Sequence, residues 1–250
     1  MQFALTAREL GHQVDLYEQE KELGGQLNVA CIPAKREKIR WVVEDLEAQL
    51  RAKRVGIHLN EKISPERLSE LAGDVLVIAT GSNPLIPEEF VGLPNVVDAR
   101  QVLRTGNFPA KGTIIVAGGG TVGSEVAMYV KRPGNEVILV EQLETLANDM
   151  EPLTRKLLLA DLNDSGIMVK MGTKITGVKN QCVSLMTEGH LTETDFDLLI
   201  LALGSESDQG LAAGTTSSFS EVYVVGDAAQ PGKLMDAVHD AWNLALQVLA

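Results

Sequence analysis

The chemistry in this sequence is concentrated in Gly118-Gly119-Gly120-Thr121-Val122-Gly123 and in Glu141. An apolar run from Thr113 to Ala117 leads into the glycines, a helical pattern follows, and a second apolar run closes on Glu141. In that order the residue types suit a dinucleotide. Gly118 permits a tight turn out of a strand, Gly120 lets backbone approach a pyrophosphate, and Gly123 lets the helix lie close to the sheet. Gly119 and Val122 complete the loop, and the helix start offers unpaired N–H groups and a positive dipole end to the phosphates. Glu141 stands where a carboxylate would accept hydrogen bonds from a ribose 2′-OH and repel a 2′-phosphate, which favours NAD(H).

A second set of polar residues follows other strand-like runs. Met1 to Leu10 carries apolar residues at helical spacing, Gly11 stops it, and Val14 to Tyr17 reads as a strand ending at Glu18. This repeats the second half of the Gly118–Glu141 unit without its first half, so the chain reads as beginning inside a βαβ unit. Tyr223 to Val225 is another strand, running into Gly226-Asp227. A Gly-Asp pair after a buried strand suits a ligand, because a carboxylate accepts from hydroxyls. Glu125 could lie near a nicotinamide or simply face solvent on the first helical turn, where the dipole favours acids. Cys31 and Cys182 are far apart with no CxxC; Cys31 reads as structural or incidental, the alternative being a single-thiol redox centre, and Cys182 reads as packing. The acids around Asp149 and Glu151 read as a solvated face and not as a metal site. No side chain is singled out as a catalytic acid or base.

Positioning these residues requires alternating strands and helices. Helical patterns cover Arg36–Arg54, a short segment after Ser64, Glu151–Asn163 and Met235–Leu249. Strands are expected at Ile57–Leu59, Asp74–Ala79 and Asp197–Leu203, with short ones between Val169 and Thr194. Residues Ser82 to Lys111, rich in Pro, Gly and Asn, read as a crossover between domains. The chain has 250 residues, enough for one large or two modest domains. Its net charge of −12 argues against nonspecific nucleic-acid binding or adhesion to anionic membranes. There is no apolar run of bilayer length and no basic-then-apolar leader, so a reducing cytoplasm is expected.

Taken together, Tyr17-Glu18, Leu23-Gly24-Gly25-Gln26-Leu27, Val77-Ile78-Ala79-Thr80-Gly81-Ser82, Gly118 to Glu125, Ala202-Leu203-Gly204 and Val225-Gly226-Asp227-Ala228 resemble the pyridine nucleotide–disulfide oxidoreductase fold. Within it, the chain is most similar to the C-terminal region of the trimethylamine dehydrogenase and 2,4-dienoyl-CoA reductase class. The resemblance implies an α/β protein of two Rossmann-like three-layer dinucleotide-binding domains, one inserted in the other. It places an FAD- or ADP-binding domain at 1–102 and 205–250, lacking its opening strand and glycine loop, and an NAD(H)-binding domain at 103–204. Glu18, Gly25, Gln26, Ala79, Thr80, Gly81, Gly204, Gly226 and Asp227 would contact cofactor, with Glu18 on the adenosine ribose and Asp227 near the ribityl or ribose phosphate. FAD binding would be weakened by the missing first loop. The implied activity is passage of hydride between NADH and a flavin in an NADH:flavin oxidoreductase-like system. The alternatives are a noncatalytic ADP- or NAD-binding electron-transfer support domain, or an inactive fragment. An FMN or iron–sulfur partner domain or subunit, or a second copy of the chain, would be the expected partner.

Overall fold

A computed structural model describes residues 1–33, 36–212 and 219–249. The chain forms two compact units. One comprises Met1–Cys31, Arg36–Asn83 and Ser205–Ala250, and the other Ile32–Lys35 and Pro84–Gly204.

The first unit opens with α1 (Gln2–Glu9), β1 (Asp15–Glu18), the short α2 (Leu27–Ala30), α3 (Ile39–Ala52), β2 (Gly56–Leu59), α4 (Pro65–Ser69), β3 (Gly73–Ile78) and β4 (Ser82–Pro84). α4 begins as its sequence demands: the Ser64 hydroxyl accepts from the Arg67 N–H at 3.2 Å, and Pro65 needs no partner in the first turn. β1 and β2 pair in parallel, bringing Glu18 opposite Leu59. Ala4, Leu5, Leu23, Leu50 and Val55 form the core beneath them. This core unites the apolar face of α1 with that of α3, whose Leu50 is fully buried.

The second unit contains β5 (Val96–Asp98), α5 (Ala99–Thr105), β6 (Gly112–Ala117), α6 (Thr121–Val130), β7 (Asn135–Val140), α7 (Pro152–Asp164) and β8 (Met168–Lys170). It continues with β9 (Thr173–Lys179), β10 (Cys182–Thr187), β11 (His190–Asp195) and β12 (Leu198–Leu201). A parallel sheet runs in the order β5-β12-β6-β7-β8, and β9, β10 and β11 form a separate antiparallel sheet. The parallel strands are apolar on both faces because both are covered. Ile115, Ala117, Ile138, Val140, Leu199 and Leu201 pack with Val183 and Leu185 of β10, while alternate residues Ile114, Val116, Val137 and Leu139 are buried on the other face. α6 packs on β6 and β7 through its buried Val126, Ala127 and Val130. The chain then returns to the first unit with β13 (Ser205–Ser207), β14 (Phe219–Val224) and α8 (Leu234–Leu249).

The expected three-layer α/β class is what the chain folds into, with three differences from the sequence reading. The junction expected at 102/103 falls inside α5; the inserted unit starts at Pro84, because β5 hydrogen-bonds to β12 of that unit. The supposed crossover therefore contains a strand and a helix. Finally, a Rossmann-like first domain implies one sheet carrying both Glu18 and Ala79–Gly81, yet β1 pairs with β2 and β14 pairs with β3 in separate two-stranded sheets. Among the described residues no strand lies between the pairs to hydrogen-bond to both. Nor is any helix among them long and apolar enough to cross a membrane.

Candidate nucleotide-binding sites

In the second unit the strand order reverses between β6 and β12. From β6 the chain steps outward to β7 and β8, and later returns to β12 on the opposite side of β6. Ligands of open α/β sheets bind at the carboxyl ends of strands where this reversal leaves a crevice. Here those ends are Ala117-Gly118 and Leu201-Ala202, tied by the Ala202 N–H to the Ala117 carbonyl at 2.8 Å. The turn out of β6 is too tight for side chains. Gly118 has φ +101°, and a Cβ on it would run into the Ala202 carbonyl oxygen. On Gly123 a Cβ would strike the Gly118 carbonyl group, with its carbon 2.9 Å away, and would sit 3.2 Å from the Ala202 Cβ. α6 can therefore start close to the strand only with glycine at 123.

Glu141 follows β7 and is 8% exposed. One carboxylate oxygen accepts from the Gly119 N–H at 2.5 Å and the other from the Leu143 N–H at 2.8 Å. The residue thus braces the glycine loop. A carboxylate oxygen has more than one acceptor site, so this bracing leaves capacity for a ribose hydroxyl. Gly119 is fixed further by its carbonyl, which accepts from the Ala147 N–H at 2.8 Å and the Ser124 hydroxyl at 3.2 Å. Val122 is half exposed at the helix start, and Gly204 accepts from the Leu85 N–H at 3.0 Å. The Thr121 hydroxyl is buried with no partner among the described residues, and the Thr121 N–H donates to Asp149 at 3.0 Å. Open backbone at Gly120, an unpartnered hydroxyl and helix-start amides fit a pyrophosphate.

In the first unit, residues distant in sequence meet around Asp227. The Gln26 side-chain amide donates to the Ser82 hydroxyl at 3.0 Å and to Asp227 Oδ2 at 3.2 Å. Ser82 donates to the same oxygen at 3.2 Å, and the Gly232 N–H donates to Asp227 Oδ1 at 3.1 Å. The Gly226 N–H donates to Asp240 at 2.7 Å. Gly25 precedes Gln26 with φ +52°. The Gly81 carbonyl accepts from the Asp208 N–H at 3.0 Å, and the Thr80 hydroxyl donates to the Asp208 carbonyl at 2.6 Å. Ala79 and Thr80 are exposed. Glu18 accepts from the Glu20 N–H at 3.0 Å through one oxygen. These carboxylates suit hydroxyl groups of a flavin or adenosine, so the residues fit the group in this respect.

Sequence reasoning missed Ser82 as the hub of this cluster, and it missed Asp149 as a partner of the glycine loop. Cys31 is buried, its thiol donating to the Asn28 carbonyl at 3.3 Å, and Cys182 is also a free thiol. Burial pushes the Cys182 thiol up, with Asp195 adding to the shift, which makes it a poor nucleophile. His239 is exposed on α8.

Comparison with known proteins places the chain in a family. The pattern of the pyridine nucleotide-disulphide oxidoreductase family matches residues 1–245. The chain is 33% identical to an NADH oxidase of Thermoanaerobacter brockii, over 99% of this chain and 39% of that protein. It is 27% identical to a bilirubin reductase of Mediterraneibacter gnavus, over 100% of this chain and again 39% of that protein. The solved structure of a 2-naphthoyl-CoA reductase in complex with 2-naphthoyl-CoA superimposes with a TM-score of 0.91 at 23% identity, covering 99% of this chain and 38% of the other. The chain thus spans about two fifths of the length of these relatives.

Proposed function

Because the chain belongs to the pyridine nucleotide-disulphide oxidoreductase family, whose cofactors are NAD(H) and FAD, we propose that it is the module that passes hydride between NADH and a flavin in an NADH:flavin oxidoreductase-like system. The observation that carries this reading is the glycine loop at the β6–α6 turn, braced by Glu141, with backbone open at Gly120. NADH and FAD supply the redox chemistry, and the protein supplies binding and orientation.

In the second unit Gly118, Gly119, Gly120, Val122 and Gly123 form the dinucleotide loop, with Glu141 accepting from the adenosine ribose and Gly204 bordering the site. In the first unit Glu18 accepts from a ribose, while Gly25, Gln26, Ala79, Thr80, Gly81, Gly226 and Asp227 hold the flavin or ADP. These roles make the unit holding 84–204 the NAD(H) domain and the unit of Met1–Cys31, Arg36–Asn83 and Ser205–Ala250 the FAD- or ADP-type domain. No side-chain acid or base is needed for the hydride step itself. The similarity to large reductases supports placement within the trimethylamine dehydrogenase and 2,4-dienoyl-CoA reductase class, where an FMN or iron–sulfur domain is the natural electron partner.

A second reading is a noncatalytic nucleotide-binding support domain. It is supported by the same glycine loop and Glu141, which would hold a nucleotide without requiring a flavin. One experiment separates the two: protein, NADH and added FAD are mixed with a reducible dye, alongside calorimetric titrations of NADH and ADP. Flavin retention with dye reduction supports the oxidoreductase module. Nucleotide binding by a colourless, inactive protein supports the second reading and overturns the first.

A further inference from the structure

Asp149 sits against the first amide of α6, beside the glycine loop. Its carboxylate accepts from the Thr121 N–H, with Oδ1 at 3.0 Å and Oδ2 at 3.4 Å, at the first residue of α6. Among the described residues, a Cβ built on Gly120 would meet only Asp149 within 4 Å, Oδ1 at 3.8 Å and Oδ2 at 4.0 Å. The loop surface at Gly120 is therefore open except for this one carboxylate. The segment carrying it is tied to the glycine loop by the Ala147 N–H to Gly119 carbonyl bond at 2.8 Å. Arg155 Nε ties the same segment down from the other side, donating to the Leu146 carbonyl at 2.7 Å. A second observation at this helix start accompanies it: the Thr121 hydroxyl is buried and has no hydrogen-bond partner among the described residues. Asp149 itself is exposed.

We propose that Asp149 is an affinity-setting placeholder, an internal anion that caps α6 until a nucleotide phosphate displaces it. The proposal rests on the assignment of the glycine loop as a dinucleotide site. The physical logic is competition. A carboxylate and a phosphate are both drawn to the same amide and the same positive end of the helix dipole. They also repel one another at this range, so they cannot share the site without cost. Binding must break the Asp149–Thr121 bond and turn the carboxylate into solvent. The wild-type chain therefore holds NADH more loosely than its glycine loop alone would allow, and it releases the product nucleotide more readily. Thr121 then supplies its N–H to the phosphate.

The test compares NADH binding to the full chain and to its Asp149→Asn and Asp149→Ala variants by calorimetry, at low and high salt. Asparagine retains an oxygen that can accept from Thr121, so the cap survives while the charge is lost. Both variants should bind NADH about three- to tenfold more tightly at low salt, and the gain should shrink at high salt because the repulsion is between exposed charges. If the wild type binds NADH and both variants bind equally or less tightly, the placeholder role is overturned while the dinucleotide site stands. If neither the wild type nor the variants bind NADH, the site assignment and this inference fall together. Binding only by the variants supports both.

Discussion

Replacing Gly123 with alanine probes the closest approach in the second unit. In an ordinary helix Gly→Ala stabilises by about 1 kcal/mol, because alanine is the better helix former. Here the added Cβ would collide with the Gly118 carbonyl group, its carbon 2.9 Å away, and press on the Ala202 Cβ at 3.2 Å. The first obstacle is backbone, which cannot rotate aside like a long side chain. Opening this contact moves α6 away from β6, and overpacking of this kind costs about 1–3 kcal/mol beyond the helix gain, or more where backbone must shift. A net loss of about 2 kcal/mol would lower the melting temperature by about 4–8 °C in a chain of this size. The loop would also widen, so NADH affinity should fall at least about tenfold, or about 1.4 kcal/mol. The control is Gly177→Ala on β9, where a Cβ meets nothing within 4 Å and the change should stay within about 0.5 kcal/mol or stabilise slightly. Calorimetry and far-UV circular dichroism follow both units together. Tryptophan fluorescence follows the first, since Trp41 and Trp242 both lie there. A Gly123→Ala protein with wild-type melting and wild-type NADH affinity would refute the close-packing argument.

Two further substitutions have defined outcomes. Glu141→Gln keeps one acceptor but turns an N–H₂ group toward a backbone N–H, leaving a buried donor unpaired. Unfolding stability should fall by about 1–3 kcal/mol in denaturant titrations, and NADH should bind more weakly with less discrimination against NADPH. Glu151 caps α7, and the Thr154 N–H foremost, then the Leu153 N–H, hold its carboxyl below the usual carboxylate range. A depressed folded-state value means the stabilisation is present above the unfolded value and lost as pH falls through the folded one. Melting curves of the wild type and Glu151→Gln should therefore differ at neutral pH and converge below the carboxylate range; a constant gap would contradict the cap.

What could be read from the sequence was local. The turn from β6 into α6 is legible because three glycines, a helical pattern and Glu141 are contiguous and each answers a local need. The strand β5 was not legible. Val96-Val97-Asp98 is only three residues inside a Pro- and Gly-rich stretch, and it becomes a strand through pairing with Leu199–Leu201, far along the chain. Asp149 was read as part of a solvated face, and it is exposed. Its role comes from a bond to Thr121 across 28 positions, which no periodicity reveals. Similarly, Gln26 and Asp227 were singled out separately, whereas Ser82, which links them, lies 56 positions from one and 145 from the other. The separation of β1–β2 from β3–β14 was hidden for a related reason: strand identity follows local pattern, but sheet membership depends on distant partners.

Hydrogen–deuterium exchange with and without NADH tests the central assignment most directly, because it locates binding as well as detecting it. NADH should protect peptides spanning Gly118–Val130 and those from Glu141 to Asp149, with smaller changes elsewhere. Absence of protection at saturating NADH, or protection confined to peptides outside these two stretches, would contradict the assignment of the glycine loop as the dinucleotide site.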